Sequence, residues 1–361
     1  MQKLIIIIVS LFISSVLFGQ DQFRYTLFDF SPITLNPANA GSFEGTVRAG
    51  TLLREQDYGY KFGQYQSPVI FVDAPLIRGF RKMDWVGFGF SFQHDQQLNQ
   101  TQITDDNDIA TNNNLITTTV IGGLSYHLSL DKNRKNIISV GFQTGNSSAY
   151  LTDQYFRLPM TIVNWLSSGS SGQLGTDIVQ GTPSEVDKKS LNLGYTVGLN
   201  FTSNLNQTDY LKVGFSVGHI GRYLRYSILN TGSGFSLPLK YTAFGNYRTE
   251  LANGLILEPR FVFSFLQPSW RASGQLLAGI KLTKPTPMIL YGGLGYDPVN
   301  GMQVLISSDI KDFKVGISFD INFSDRSAVS SQAGAFELGL SYILKVYRKP
   351  TPDPVLVCPQ L

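Results

Sequence analysis

The sequence predicts an all-β protein, a closed antiparallel transmembrane β-barrel of about 14 strands with both termini on the periplasmic side. Three observations predict it. Alternation of apolar with small or polar residues, at period two, recurs along almost the whole chain after residue 42. Past the N-terminus, no apolar run reaches the roughly 18 residues of a membrane helix. The long polar connections between the alternating runs all fall in one of the two sets into which a barrel divides its turns.

Composition narrows the classes. The 361 residues are only 15% charged, against roughly a quarter in soluble domains. A disordered chain would carry more charge and fewer aromatic residues than the 12% found here. A lone Cys358 supports neither a disulfide framework nor a Cys/His zinc site. A formal charge of 29 − 26 = +3 leaves no footprint for nucleic acid.

The elements follow in order. Lys3 and the apolar stretch Leu4–Phe18, ending in the small Gly19, read as a signal peptide over 1–19. Residues 20–42 form a periplasmic or plug-like N-terminal segment, 43–347 the barrel, and 348–361 a Pro-rich periplasmic tail. Within the barrel, Phe313, Val315, Ile317, Phe319 and Ile321 alternate with Lys314, Gly316, Ser318 and Asp320. Leu191 to Phe201 and Phe336 to Leu344 behave alike. A sandwich strand also alternates, but runs of about 10 residues or more match a tilted membrane strand. Fourteen runs are expected, near 43–56, 64–76, 84–97, 115–130, 136–151, 189–204, 209–227, 236–250, 255–266, 271–283, 286–297, 301–310, 312–324 and 335–347. Strands in lipid must close on themselves, since an open edge would leave backbone groups unpaired in hydrocarbon.

The connections test this independently. With both termini periplasmic, every second connection is a short turn: 77–83, 131–135, 203–208, 251–254, 283–285 and the junction at Lys311. The other set holds the long polar loops 98–114, 152–188, 227–235 and 324–334, together with three short ones. These are the expected extracellular loops.

A motif follows the signal segment. Phe30-Ser31-Pro32-Ile33-Thr34-Leu35 leads into Asn36-Pro37-Ala38-Asn39-Ala40-Gly41-Ser42. This stretch resembles the N-terminal motif of the PorP/SprF family of Bacteroidetes type IX secretion and gliding systems. Arg54-Glu55-Gln56 resembles the family's Arg-x-Gln-Trp, with Asp57 in place of Trp, and Asp73-Ala74-Pro75-Leu76 resembles a further block. The family-motif residues are thus Asn36, Pro37, Ala38, Ala40, Gly41, Ser42, Arg54, Gln56, Asp73 and Pro75. The resemblance implies a multi-pass outer-membrane barrel without enzymatic activity or cofactor, working with type IX components to export or retain an adhesin-like cell-surface protein. It also implies, for some members, a link to a periplasmic, peptidoglycan-associated partner.

Turn chemistry alone accounts for Pro37 and Gly41, so segment 20–42 reads equally as a lumen plug, a periplasmic docking element or a compact lead-in. Phe23, Tyr25, Phe28 and Phe30 need burial, in the lumen or on the lower rim. With the tail, this segment is expected to face the periplasmic machinery. Loop 152–188 carries Tyr155, Phe156, Leu158, Met160, Ile162 and Trp165, more large apolar groups than a solvated loop needs. Either it binds a partner protein or it folds inward. Asp95, Asp105, Asp106 and Asp108 offer oxygen ligands, but their spacing is not that of a Ca²⁺ loop, and a hydrated loop tip is the preferred reading. The Pro-rich tail cannot extend a strand, and its Cys358 is either a free thiol or one half of an intermolecular disulfide.

Two other classes compete with this reading. For a hydrolase, Ser125 and His127 share one strand face, but i and i+2 lie about 7 Å apart along a strand, which predicts no direct nucleophile–base hydrogen bond. For a small-solute channel, the expected lumen residues Lys212, Lys240, Arg248, Glu258, Arg260, Lys314, Asp320 and Glu337 mix both signs. Mixed charges pair and fill a lumen, whereas a selective ring carries one sign.

Overall fold

The computed structural model describes residues 25–56, 62–78, 83–99, 114–152, 189–206, 208–221, 238–266, 269–282, 286–298, 301–321 and 334–346. The expected signal peptide 1–19, Tyr155, Phe156, Leu158, Met160, Ile162 and Trp165 of the expected loop 152–188, Asp105, Asp106 and Asp108, and the expected tail 348–361 with Cys358 lie outside these residues.

Among the described residues, fifteen strands form one antiparallel sheet: β1 (Val47–Gln56), β2 (Phe62–Gln66), β3 (Val69–Arg78), β4 (Trp85–Asn99), β5 (Asn114–Ser129), β6 (Asn136–Thr152), β7 (Lys189–Asn204), β8 (Tyr210–Ile220), β9 (Lys240–Glu250), β10 (Ile256–Leu266), β11 (Ser269–Leu282), β12 (Met288–Asp297), β13 (Gly301–Ile310), β14 (Phe313–Ile321) and β15 (Gly334–Leu344). The sheet closes where β15 pairs with β1, from Val47↔Leu344 to Gln56↔Ala335. Both β2 and β3 pair with β1 on one side and β4 on the other. They are two halves of one stave, so the barrel has fourteen positions.

The expected second run, 64–76, is therefore interrupted. The break falls at Ser67-Pro68, where proline has no N–H to give the ladder. Ser67 N still donates to Arg54 O at 2.8 Å, and Pro68 O accepts from His94 N at 3.0 Å. β8 is described to Ile220 and β9 from Lys240; residues 222–237, where the rest of the seventh run and the first residues of the eighth were expected, lie outside the described residues.

The faces are those of a barrel in lipid. On β11, Leu276 is 55% exposed while its neighbour Leu277 is 1% exposed. Phe88, Leu124, Phe142, Leu199, Ile306 and Phe319 are exposed on the outer face, while Ser125, Gln275, Gln303, Ser318 and Glu337 are buried inside. A water-soluble sandwich would have the reverse polarity. Aromatic pairs sit near the two rims of the outer face: Tyr241–Phe265 and Phe263–Trp270 at one, Phe313–Tyr342 at the other.

The two ends differ. The start of β1 and the end of β15 meet at one end, termed the terminal end, together with the short turns. The turn after β5 is held by Asp131, whose carboxylate accepts from the backbone N–H groups of Asn133, Lys135 and Asn136 at 2.8–3.0 Å. These bonds, the one from Lys135 foremost, hold its pKa below the ordinary carboxylate value. The long connections lie at the opposite, loop end.

Candidate functional site: the occupied lumen

The segment Tyr25–Gly41 lies inside the barrel, and nearly all of it is buried. It consists of a 3₁₀ turn (Phe28–Phe30), one turn of α-helix (Pro32–Leu35) and a second 3₁₀ turn (Pro37–Asn39). Proline opens both of the last two turns, where its missing N–H costs nothing. The chain runs from the loop-end half of the lumen, where Tyr25 Oη donates to Ser67 O at 3.3 Å, to the terminal end, where Trp85 Nε1 donates to Gly41 O at 2.9 Å.

Apolar contacts join this segment to inward-facing wall residues. Tyr25, Leu27 and Phe30 pack with Leu52, Val69 and Leu305. Phe28 and Leu35 pack with Phe244 and Val262. Phe23 lies outside the described residues.

Polar wall groups hold it at three levels. Near the loop end, both oxygens of Glu337 accept backbone N–H groups, from Thr26 at 2.8 Å and Leu27 at 2.7 Å. Glu337 also pairs with Arg54, which reaches Asp320 at 3.0 Å. Asp320 in turn accepts from Thr26 Oγ1 at 2.7 Å. Midway, Asp29 pairs with Lys314 and, at 3.0 Å, with Arg260, and Arg260 pairs with Glu258 at 2.7 Å. Buried charges survive only when paired and hydrogen-bonded, and here segment and wall supply each other's partners.

At the terminal end the motif residues carry the contacts. Asn36 Oδ1 accepts from Ala38 N at 2.8 Å, while its Nδ2 donates to Leu199 O at 3.3 Å and Phe215 O at 3.1 Å. Asn200 Nδ2 donates to Asn39 Oδ1 at 2.8 Å. Gly41, at φ +66°, donates its N–H to Asp73 at 2.7 Å. Asp73 is paired with Arg48, which also donates to Asn39 O at 3.3 Å. Among the motif residues of the wall, Asp73 thus bonds the end of the segment directly, while Arg54 pairs with the two carboxylates, Glu337 and Asp320, that bond its start. Gln56 accepts from Arg54 at 3.4 Å, and Pro75 stands at a register shift between β3 and β4.

The wall is cut back to fit. A Cβ on Gly87 would overlap Ala40 O, one on Gly141 would overlap Ala38 N, and one on Gly198 would overlap Asn36 Oδ1. Gly141 and Gly198 are register partners, as are Gly316 and Gly339. The second pair makes a flat bed beneath the Phe30 ring. These glycines were not singled out from sequence. The available signal was glycine on the inward face of adjacent strands.

The expected separation of Ser125 from His127 is corrected. Ser125 Oγ lies 2.9 Å from His127 Nε2, and Ser139 Oγ lies 2.7 Å from Nδ1. The backbone spacing of about 7 Å is spanned by the reach of the imidazole. Ala40 O lies 2.8 Å from His127 Nε2 and accepts from Ser125 Oγ at 2.5 Å. A carbonyl only accepts, so the network assigns the ring proton to Nε2. An Nε2 that carries the proton cannot take one from Ser125, and both side chains are buried against the segment. Their visible work is to hold Ala40.

Asp95, the described member of the acidic loop set, accepts from Gln93 at 2.7 Å. The described residues hold no group of three or more His, Cys, Asp or Glu able to bind a metal.

Apolar outer face, polar lumen and closed fourteen-position sheet define the class: an outer-membrane β-barrel. A profile of the family described as type IX secretion system membrane protein PorP/SprF matches residues 17–342, and the chain belongs to that family. Among solved structures, the fold is similar to the toluene transporter TbuX of Ralstonia pickettii, at 11% identity and TM-score 0.50 over 87% of this chain and 93% of that one. It is similar also to the toluene transporter TodX of P. putida, at 10% identity and TM-score 0.50 over 86% and 93%. A TodX deletion mutant gives 10% identity and TM-score 0.51 over 91% and 96%. At such identities the likeness is one of fold. No curated protein matches the chain.

Proposed function

We propose that this barrel is a non-catalytic component of type IX secretion that assists the export or surface attachment of a partner cell-surface protein. In this reading the loop end faces the exterior, and the termini and short turns face the periplasm. The lumen is occupied by the chain's own segment and does not conduct. The observation that carries the reading is the fixing of Tyr25–Gly41 to the wall by ion pairs and hydrogen bonds along its length, in a chain that belongs to the PorP/SprF family. A wall that spends its lumen-facing charges on a plug has few left to select solutes.

The cargo contact in this reading is loop 152–188, through Tyr155, Phe156, Leu158, Met160, Ile162 and Trp165. Deleting residues 155–166 and isolating the full barrel from native outer membranes tests it. Loss of the co-purifying surface protein is the expected result, and unchanged capture overturns the loop assignment. The rival reading, a small-solute channel, requires steady conductance of the wild-type barrel in planar bilayers, where the plugged scaffold gives almost none.

A further inference from the structure

One ladder row nearer the loop end than Asn36, segment and wall part to leave a cavity of about 80 Å³. A water needs about 10–15 Å³ on this kind of measure, so the space admits a small solute as well as solvent. The wall contributes Gln143, Thr196, Ser216, His219, Lys240 and Thr242. The segment contributes Thr34 and Leu35. Among the described residues lining it, none is Asp or Glu.

Two features mark this cavity as a built site. Gln143 is 8% exposed, and its side-chain oxygen has no hydrogen-bond partner, a costly arrangement unless something else donates to it. His219 is one of three non-glycine residues at positive φ among the described residues, at +63°. It stands where the ladder slips: Tyr195 pairs with Ile220 but Val197 with Val217. Thr196 therefore faces both Gly218 and His219, a bulge of the kind that re-aims a side chain. Backbone strain of this sort persists only where the surroundings impose it. A carbonyl, Pro238 O, lies 3.1 Å from His219 Nδ1, which must carry the proton.

We propose that this cavity binds a small oxyanion that carries its own hydrogen-bond donor, as hydrogen phosphate does. Lys240 supplies the positive charge, and the hydroxyls of Thr196, Ser216 and Thr242 donate to the anionic oxygens. The Gln143 oxygen accepts from the ligand's hydroxyl, a bond that a fully deprotonated anion cannot make.

Isothermal titration of the full barrel in zwitterionic detergent, with sodium phosphate and with sodium sulfate at matched ionic strength, tests the assignment. Phosphate is expected to bind and sulfate to bind more weakly, since sulfate has no proton to give Gln143 at neutral pH. Lys240→Gln should weaken phosphate at least about tenfold, the scale of one charge-assisted hydrogen bond. Gln143→Leu should narrow the preference for phosphate over sulfate. Thr242→Val, which removes a donor and no charge, gives a second reading if Lys240→Gln fails to migrate as a folded barrel, and it too should weaken phosphate. Absence of phosphate binding, equal affinity for sulfate, or phosphate affinity unchanged in the folded variants overturns the proposal.

Discussion

Arg48 grips Asp73 with two parallel bonds, Nε to Oδ1 at 2.9 Å and Nη2 to Oδ2 at 2.7 Å, while the same Oδ2 accepts the N–H of Gly41. Asp73 is fully buried in this arrangement. Removing one partner of a buried pair strands the other and costs about 3–5 kcal/mol. Asp73→Ala should lower the stability of the folded barrel by about 3 kcal/mol, read as a shift in its urea midpoint in detergent. Arg48→Ala should cost less, because the Gly41 N–H remains to Asp73. Equal losses would refute the ranking.

Asn36 uses its amide in both senses, accepting from Ala38 and donating to two wall carbonyls. Asn36→Asp keeps the shape but turns a carboxylate oxygen toward Leu199 O and Phe215 O. Two donors are lost and acceptor faces acceptor, so a cost of about 2–3 kcal/mol is expected. Asn36→Ala should be milder on the wall side, since backbone carbonyls tolerate loss of a second partner. Limited proteolysis of Tyr25–Gly41 reports the difference.

Gly198 has no room for a side chain, because a Cβ there would meet Asn36 and Pro37. Gly198→Ala should overpack the seat by about 1–3 kcal/mol and raise conductance in planar bilayers as the segment lifts. Gly122 has open space around its Cβ position, so Gly122→Ala should leave stability within about 0.5 kcal/mol and the membrane silent. A silent Gly198→Ala that keeps wild-type stability would show the seat to be soft.

The Asp131 turn predicts a pH dependence. Its pKa is lowered in the folded chain by the N–H groups it accepts, that of Lys135 first. A group with a depressed folded pKa stabilises above its unfolded pKa and loses that contribution as pH falls through the folded value. Hydrogen exchange at Lys135 and Asn136 should therefore accelerate, relative to the intrinsic rate, only below the ordinary carboxylate range. Asp131→Asn should show the faster exchange at every pH.

The barrel was legible because alternation is a local property. Phe313 to Ile321 reads as one outward and one inward face before any partner strand is known. Closure and the segregation of loops followed from the same reading. The break at Ser67-Pro68 was visible only as a proline, since a run of β-favouring residues flanks it on both sides. The seating of Asn36–Gly41 was less legible. Its turn chemistry is local, but the carbonyls that Asn36 reaches belong to β7 and β8, and only the closed register brings them there. The lumen charges could be named as a set and not as pairs, because Arg54, Asp320 and Glu337 meet from opposite ends of the chain. The Ser125–His127 contact escaped because side-chain reach was ignored.

Glu337 also orders events in time. It belongs to β15, the last strand, yet it accepts from residues 311 and 310 positions earlier, near the start of the described chain. That same strand supplies the seam with β1. The bonds from the Thr26 and Leu27 N–H groups therefore cannot form until the final strand has been synthesised and delivered. Contacts of such sequence separation form slowly, because a long loop must close before they reward it. Seating and closure become one late commitment in assembly. A chain truncated before Gly334 would lack both the seam and this anchor, and it would present an open-edged, half-lined sheet to whatever escorts it to the membrane.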